Sequence, residues 1–430
     1  MPATIYVVNR YKLNDPVVVA AVTFDNEKIE AKTPRTAANG LVTVTTEALA
    51  DGNHVLRITP PYTSTYQAGP DIAEDLPNSA TRMYRSLEAV ITVKNGRLQA
   101  VYPAMGQERN GDVGAGTNPI RVLLQPLYFR APHQIPKARK HEQITLIVVH
   151  QTAGGTSMDV ALSVMNGEDP QAPGSSHYVI SSEGEIVKIV QDNGIAFHAG
   201  QTPEQTWWDG KKYVEGFSIG IEMSHKAKTP WPPAQISALM GLAQQLMHAY
   251  PSIKRQNIVG HTDVLLIDRD CPGLEFDWAV LEKFGLSMIP RDGAISLDGA
   301  YGGFFRLQPA GQLRVGDRDS KRVWGGGEPW PAAPATGAVV NSPAGLPSSA
   351  VQGSAGLQTI AGAPIRELQT DLGEIGYFAP VDGDFSAKTE FAVSRFQKHF
   401  FSGSRRGLIA DAQRGRVDHV TAKFIKSVRP

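Results

Sequence analysis

The sequence predicts a multidomain protein with a β-rich N-terminal domain, a central α/β domain and a small helical module at the C-terminus. Its 430 residues exceed the size of one ordinary hydrophobic core. Along the chain, the spacing of apolar residues changes from strand-like alternation to mixed strand and helix patterns, and then to helix patterns alone. A segment rich in Gly, Pro, Ser and Ala separates the last two regions, so we expect domains joined by a linker.

Residues 1–136 contain short runs of β-forming residues that are broken by turn residues. These runs cover residues 5–8, 17–24, 41–45, 54–58 and 87–93. Short strands with regular turns predict a small β-sandwich as an accessory domain. The turn at Asp51 and Gly52, followed by the run at 54–58, resembles the transthyretin-like modules that precede many secreted enzymes.

Between residues 137 and 290, strand patterns alternate with helix patterns, which predicts an α/β domain. The predicted strands cover residues 146–150, 178–181, 186–190 and 218–224. After Trp231, Pro232 and Pro233, apolar residues follow helical spacing as far as Tyr250, with the prolines in the first turn. We expect this helix to cover one face of the sheet.

Residues 291–363 form a predicted extension and flexible linker, in which Gly, Pro, Ser and Ala are densest from residue 325 onward. Residues 364–430 regain helical periodicity. Two sets of apolar residues there each fall on one helical face, namely Ile365, Leu368 and Leu372, and Val393, Phe396 and Phe400. A small helical module therefore ends the chain.

The composition excludes several classes of protein. The 42 basic and 42 acidic residues cancel, so bulk charge does not favour binding to nucleic acid or to an anionic membrane. No run approaches the roughly 18 consecutive apolar residues of a membrane span. The N-terminus lacks the basic and apolar segments of a signal peptide, so we do not expect standard secretory export. A single cysteine excludes internal disulfides, so Cys271 must be explained by packing or by chemistry.

Two histidines and the cysteine are candidate metal ligands. His150 ends an apolar strand, where the residues of sheet-borne sites commonly lie. His261 follows the apolar pair Ile258 and Val259, and Cys271 comes ten positions later. Two imidazoles and a thiolate suit Zn²⁺, and three protein ligands leave one position open for water. Taken singly, each residue could instead be a hydrogen-bonded strand end, a turn residue or a small buried side chain.

Six short segments occur in the order found in the type 2 N-acetylmuramoyl-L-alanine amidase family. They cover residues 148–152, 175–180, 197–200, 218–222, 260–263 and 270–273. The stretch 141–277 therefore resembles a family of muropeptide amidases, phage endolysins and peptidoglycan recognition proteins. The resemblance implies that His150, His261 and Cys271 bind zinc on a mixed sheet flanked by helices. It also implies hydrolysis of the amide bond between N-acetylmuramic acid and L-alanine in peptidoglycan.

The resemblance also implies roles for four further residues. Alternation along the strand 218–224 places Glu222 opposite the core-facing isoleucines, and we expect it to be the general base. Arg269 stands where the family usually has Lys or His; its guanidinium stays protonated, so it can stabilise an oxyanion but is a poor proton donor. We expect His177 and His198 to support the metal ligands or to contact the substrate. Alternatively, Glu222 is a solvent-facing carboxylate, Arg269 forms a surface ion pair, and His177 and His198 are buried structural histidines.

The C-terminal residues 364–428 resemble three-helix peptidoglycan-binding domains. The residues that carry this resemblance include Gly376, Tyr377, Asp382, Gly383, Thr389, Phe396 and Gln397. In this interpretation Asp382 and Gly383 turn the chain, Thr389 caps the next helix and Phe396 packs in the core. A wall-binding module on a flexible tether raises the local concentration of the enzyme, so we expect intact sacculi as substrate. Removing the module should then spare hydrolysis of small soluble muropeptides.

Two alternatives stay open at the level of sequence. A non-catalytic peptidoglycan recognition protein would use the same cleft only to bind, although such relatives usually lack the ligand at Cys271. Alternatively, the amidase is a phage endolysin or a type VI secretion effector, whose N-terminal domain docks on the secretion apparatus and whose partner is an immunity protein. Because the substrate lies outside the cytoplasm, we expect synthesis in the cytoplasm, a non-standard delivery route and action in the periplasm or cell wall.

Overall fold

The computed structural model of the chain describes residues 138–165, 174–291 and 364–428 without interruption. Elsewhere it describes strands and short segments between residues 3 and 136 and between residues 296 and 360. Most of the linker predicted at 291–363 lies outside the described residues, as do residues 17–20 of one predicted strand. No helix among the described residues is long and apolar enough to cross a bilayer.

The strands are β1 (Ala3–Asn9), β2 (Lys12–Pro16), β3 (Ala21–Phe24), β4 (Glu27–Lys28), β5 (Leu41–Val44), β6 (Gly52–Thr59), β7 (Arg82–Tyr84), β8 (Leu87–Lys94), β9 (Arg97–Pro103), β10 (Ile120–Leu124), β11 (Pro126–Phe129), β12 (Gln134–Ile135), β13 (Leu146–Ala153), β14 (Tyr178–Ile180), β15 (Ile186–Lys188), β16 (Ile195–Ala196), β17 (Trp207–Trp208), β18 (Lys211–Lys212), β19 (Ser218–Lys226), β20 (Ile258–Gly260), β21 (Arg318–Asp319) and β22 (Thr359–Ile360). The helices are α1 (Met158–Met165), α2 (Pro233–Ala249), α3 (His261–Val264), α4 (Trp278–Lys283), α5 (Pro364–Ile375), α6 (Ala387–Phe400) and α7 (His419–Val428).

A mixed seven-stranded sheet in the order β20-β13-β19-β14-β15-β11-β7 forms the centre of the described structure. The four strands from β20 to β14 are parallel, β15 is antiparallel to β14, and β11 is parallel to β15. This arrangement confirms the predicted α/β domain and its mixed sheet. Strands β7 and β11 precede residue 136, so the sheet extends across the boundary predicted there.

Strand β19 is buried along almost its whole length, as expected for the centre of a sheet covered on both faces. Helix α2 covers one face, where Leu239, Leu242 and Leu246 share a hydrophobic core with Ile219 and Ile221. The helix begins at its predicted prolines, with one proline at the N-cap and the next at the first helical position. The opposite side of the strand carries the polar residues of the candidate site.

The N-terminal region forms two further sheets. Strands β10, β1, β2 and β5 form one, and strands β4, β3, β6, β8 and β9 form the other. In β8, the buried residues Leu87, Ala89, Ile91 and Val93 alternate with more exposed ones, which is typical of a strand with one covered face. The β-rich character is confirmed, whereas the sandwich arrangement stays a prediction.

The helices α5, α6 and α7 form the C-terminal module, and Phe396 is fully buried there, as predicted. The prediction that Thr389 caps a helix is wrong. Helix α6 begins after Ser386, and the Thr389 hydroxyl lies inside the helix and donates to the Asp384 carbonyl at 3.3 Å. The module also packs on the central domain, because Phe396 belongs to the same hydrophobic cluster as Val148 of β13.

Candidate metal centre and active site

The candidate site lies towards the carboxyl ends of the parallel strands β13 and β19 and at the end of β20. His150 in β13 is in register with Glu222 in β19, and β20 leads directly into His261, the first residue of α3. The carboxyl ends of neighbouring parallel strands meet at one edge of a sheet, where ligand sites of α/β proteins commonly form. The fold therefore brings together residues from three distant parts of the chain.

The three predicted ligands converge at this edge. One potential ligand atom from each of His150, His261 and Cys271 lies within 4.8 Å of the others, and all three residues are buried. The backbone N–H of Gln151 donates to the sulfur of Cys271 at 3.4 Å, an interaction that favours a thiolate. Geometry and donor type thus agree with the interpretation of these residues as a metal site.

A chain of hydrogen bonds fixes which nitrogen of His150 is free. The Ser218 hydroxyl donates to the Val214 carbonyl at 2.7 Å, so its oxygen accepts from Nε2–H of His198 at 3.1 Å. The Nδ1 atom of His198 is then an acceptor, and it lies 3.0 Å from Nε2 of His150, which donates to it. The lone pair of His150 is therefore on Nδ1, where it can bind a cation.

His261 is oriented in the same way. Its Nε2–H donates to the Ala199 carbonyl at 2.8 Å, which leaves the lone pair on Nδ1. Burial lowers the pKa of His261 to about 4 and holds that of His150 well below its ordinary value, so both rings are neutral, as metal ligation requires. Burial raises the pKa of Cys271 to about 12, so a cation is needed to hold its thiolate. The residues present fit Zn²⁺.

Glu222 and Arg269 are charged residues that influence the electrostatics at this edge of the sheet. Glu222 is buried, and burial raises its pKa to about 8, while the nearby charge of Arg269 opposes that rise. The same guanidinium contributes to the lowered pKa of His150, although Arg269 itself is exposed. The loop that carries Arg269 is closed by the Thr262 hydroxyl, which donates to the Arg269 carbonyl at 2.7 Å and accepts from the Cys271 N–H at 2.9 Å.

The ring of His198 lies directly on the backbone of β19. A Cβ atom at Gly220 would lie 2.6 Å from Cγ of His198, so only glycine allows this approach. The backbone N–H of Gly220 donates to Nδ1 of His177 at 3.0 Å, while Nε2 of His177 lies 2.8 Å from the guanidinium of Arg139. His177 has no exposed surface, so a substrate cannot reach its side chain in this structure.

Comparison with known proteins identifies the family. Residues 140–274 match the N-acetylmuramoyl-L-alanine amidase family, and residues 361–401 match the peptidoglycan binding domain family. The chain is 31% identical over 164 residues to the 1,6-anhydro-N-acetylmuramyl-L-alanine amidase AmpD of Haemophilus influenzae, across 35% of this chain and 86% of AmpD. The chain belongs to the N-acetylmuramoyl-L-alanine amidase family. It is an enzyme of the class that hydrolyses peptidoglycan, which confirms the resemblance found in the sequence.

Two further similarities concern one amidase of Escherichia coli. The chain is 31% identical over 166 residues to the N-acetylmuramoyl-L-alanine amidase AmiD, across 35% of this chain and 56% of AmiD. The solved complex of AmiD with anhydro-N-acetylmuramic acid-L-Ala-D-gamma-Glu-L-Lys is 22% identical, with a TM-score of 0.43, over 66% of this chain and 88% of that one.

Sequence reasoning missed three residues that organise the site of this amidase. Ser218 begins the hydrogen-bond chain behind the ligands, and Arg139 is a buried cation that also donates to the Asp192 carbonyl at 3.1 Å. Asp263, two residues after His261, is a buried carboxylate bonded by the C-terminal module. Asp263 and Ser218 lie inside segments that carry the family resemblance, so the sequence could have indicated a role for both. Arg139 precedes these segments, and nothing in the sequence indicates its role.

Proposed function

We propose that the chain is a zinc-dependent amidase that cleaves the bond between the lactyl group of N-acetylmuramic acid and L-alanine. The observation that carries the proposal is the cluster of His150, His261 and Cys271 next to the buried Glu222, in a chain of the amidase family. These three residues would hold Zn²⁺ and leave a position open, as catalytic zinc sites do.

The four other residues predicted for the site have roles in this chemistry. Zinc held by the three ligands would supply Lewis acidity for both the scissile carbonyl and the attacking water. Glu222 takes the proton of the attacking water, and because burial raises its pKa, it can hold that proton and pass it to the leaving amine. Arg269 stabilises the developing oxyanion with its permanent charge. His198 keeps His150 in the tautomer that binds metal, and the buried His177 supports the strand beneath it.

A binding-only recognition protein is the alternative in a different class. It needs a cleft but neither a complete ligand set nor a buried base. Cys271 and Glu222 are both present at the edge of the sheet, so hydrolysis is favoured over binding alone.

The match of residues 361–401 to a peptidoglycan binding domain supports intact peptidoglycan as the substrate, reached in the periplasm or cell wall. We retain the domain boundaries 1–136, 137–290, 291–363 and 364–430 as part of this proposal, with strands β7 and β11 of the first region completing the sheet of the second. The N-terminal domain would be a β-sandwich that serves delivery, in a phage endolysin or in a type VI secretion effector with an immunity protein. Neighbouring genes for a holin, or for a secretion spike and an immunity protein, would distinguish these two routes.

The function is tested by metal analysis together with mass spectrometry of digested sacculi. We expect about one zinc per chain and the release of free stem peptides that begin with L-alanine. Cys271→Ser should lower zinc occupancy and abolish hydrolysis, because a three-ligand site loses affinity sharply without one donor. Full activity in metal-stripped protein, or cleavage of a different bond, would contradict the proposal.

A further inference from the structure

The segment 260–274 carries two of the three proposed zinc ligands, and the C-terminal module supplies much of its support. Asp263 lies on α3 two residues after His261 and is 1% exposed. Its Oδ1 accepts from the Tyr377 hydroxyl at 2.6 Å. Its Oδ2 accepts from Nδ1 of His399 at 2.7 Å and from the Gly260 N–H at 2.7 Å. Two of the three bonds to this carboxylate therefore come from a module more than a hundred residues away.

A buried carboxylate is costly unless its hydrogen bonds are made. Arg395, also buried in the module, donates to the backbone carbonyl of Asp263 at 3.1 Å, so backbone and side chain are held together. Without the module, the Gly260 N–H is the one hydrogen bond to the Asp263 carboxylate left among those of the described residues. Helix α3 has four residues and has little stability of its own. Contacts from the module therefore support the short helix that carries His261.

The module also contacts the loop that carries Cys271, the other ligand of this segment. Nζ of Lys398 lies 2.6 Å from Asp268 and 2.7 Å from Asp270, which flank Arg269, and Asp270 immediately precedes Cys271. The His399 ring stacks on Trp278 at 4.1 Å between ring centres. Three residues of α6 at positions 395, 398 and 399 therefore contact the segment from one helical face.

We propose that the C-terminal module is a structural part of the metal centre, in which Tyr377, His399 and Lys398 are positioning residues for His261 and Cys271. The inference rests on the proposed zinc site, but it concerns how that site is held and not what it hydrolyses. Outer residues that orient metal ligands commonly change metal affinity by about 10–100-fold when they are lost. Tyr377, one of the residues that resemble a wall-binding domain, would then serve the amidase itself.

The test measures the zinc dissociation constant of the full-length chain by competition with a chelator, together with the melting temperature. Tyr377→Phe removes one hydroxyl and keeps the ring that packs against Trp208 and Phe396. We expect it to weaken zinc binding about tenfold or more. His399→Leu should do the same, and His399→Asn should restore affinity, because its amide can donate to Asp263 from the position of Nδ1.

Arg405→Met is the matched control. Arg405 pairs with Glu282 of α4 at 2.6 Å, so it joins the same two parts of the chain without touching the segment 260–274. We expect this variant to bind zinc as tightly as the wild type. The inference is overturned if folded Tyr377→Phe and His399→Leu bind zinc normally, or if Arg405→Met weakens binding equally. Failure of the wild type to bind zinc would instead count against the proposed function.

Discussion

Glu222 projects from the strand next to His150, and the register of these parallel strands places the proposed base beside a proposed ligand. Glu222→Gln keeps the shape of the side chain but removes its ability to take a proton. We expect unchanged zinc content and turnover lower by about 10²–10⁴-fold on a soluble muropeptide. Steady-state kinetics and elemental analysis on the same sample measure both quantities. Normal turnover would show that another group accepts the proton.

Gly220 allows His198 to lie on the sheet behind His150. An added Cβ would meet three atoms of the His198 ring within 2.9 Å, and two hydrogen bonds hold that ring in place. Gly220→Ala should therefore displace His198 and lower zinc affinity by about tenfold or more. The measurement is chelator competition on the purified variant.

The control for this substitution is Gly241→Ala. Gly241 lies inside α2, and its added Cβ would meet nothing within 4 Å. In a helix interior, alanine is favoured over glycine by about 0.5–1 kcal/mol, so this variant should bind zinc normally and melt at the same or a higher temperature. Equal zinc affinity in both variants would show that the position of His198 does not matter to the metal.

The sequence indicated the ligands because histidine, histidine and cysteine are distinctive donors that occur in ordered family segments. It could not show their supports. Asp263 and His399 are separated by 136 positions, and neither residue type at its position signals the other. The buried position of His177 also depends on packing, since Gly220 and Arg139 come from different parts of the chain.

At the level of elements, buried apolar runs predicted the central strands correctly, but their ends were misplaced. Strand β19 continues to Lys226, beyond the predicted end at residue 224, because backbone pairing with β13 continues as far as Ala153. In that extension His225 is buried and Lys226 is exposed. The sequence pattern did not predict these two residues as part of a strand. The extension follows from the pairing of β19 with the neighbouring strand β13.

The short turn at Gly403–Arg405 fastens the module to the start of α4. Gly403 has φ +54°, and an added Cβ would lie 2.4 Å from Cα of Asp277, the N-cap residue of that helix. Its N–H donates to the Leu274 carbonyl at 2.8 Å. Gly403→Val should therefore lower the stability of the chain by about 1–3 kcal/mol through backbone strain, and further if the turn is displaced.

Chemical denaturation followed by tryptophan fluorescence measures this change. Gly407→Ala is the control, since its added Cβ would meet nothing within 4 Å and its effect should be close to zero. A similar free energy of unfolding for Gly403→Val and the wild type would show that the turn rearranges without cost and that the module is not fastened there.

At the scale of the whole molecule, the C-terminal helices and the central sheet share one hydrophobic cluster. Leu368 and Phe396 of the module belong to it together with Val148, Trp208 and Val259 of the amidase. The sequence pattern predicted an apolar face for two helices of the module, α5 and α6, but periodicity does not show what covers such a face. The expectation of a module that acts only as a tethered affinity device arose from this gap, and the docking contacts are the reason why we propose a structural role as well.

Removal of residues 364–430 tests the role of the docked module most directly. Truncation would expose Val148, Trp208 and Val259 to water and leave the Asp263 carboxylate without its bonds from Tyr377 and His399. We therefore expect hydrolysis to fall by about tenfold or more on a small soluble muropeptide as well as on intact sacculi.

A protease site introduced between residues 320 and 358 provides the matched control, because cleavage there breaks the chain but keeps the docked module. The nicked protein should retain hydrolysis of the soluble muropeptide. If the truncated chain hydrolyses the soluble muropeptide normally and loses only its activity on sacculi, the module acts as an affinity device alone and its contacts with the ligand segment do not support catalysis.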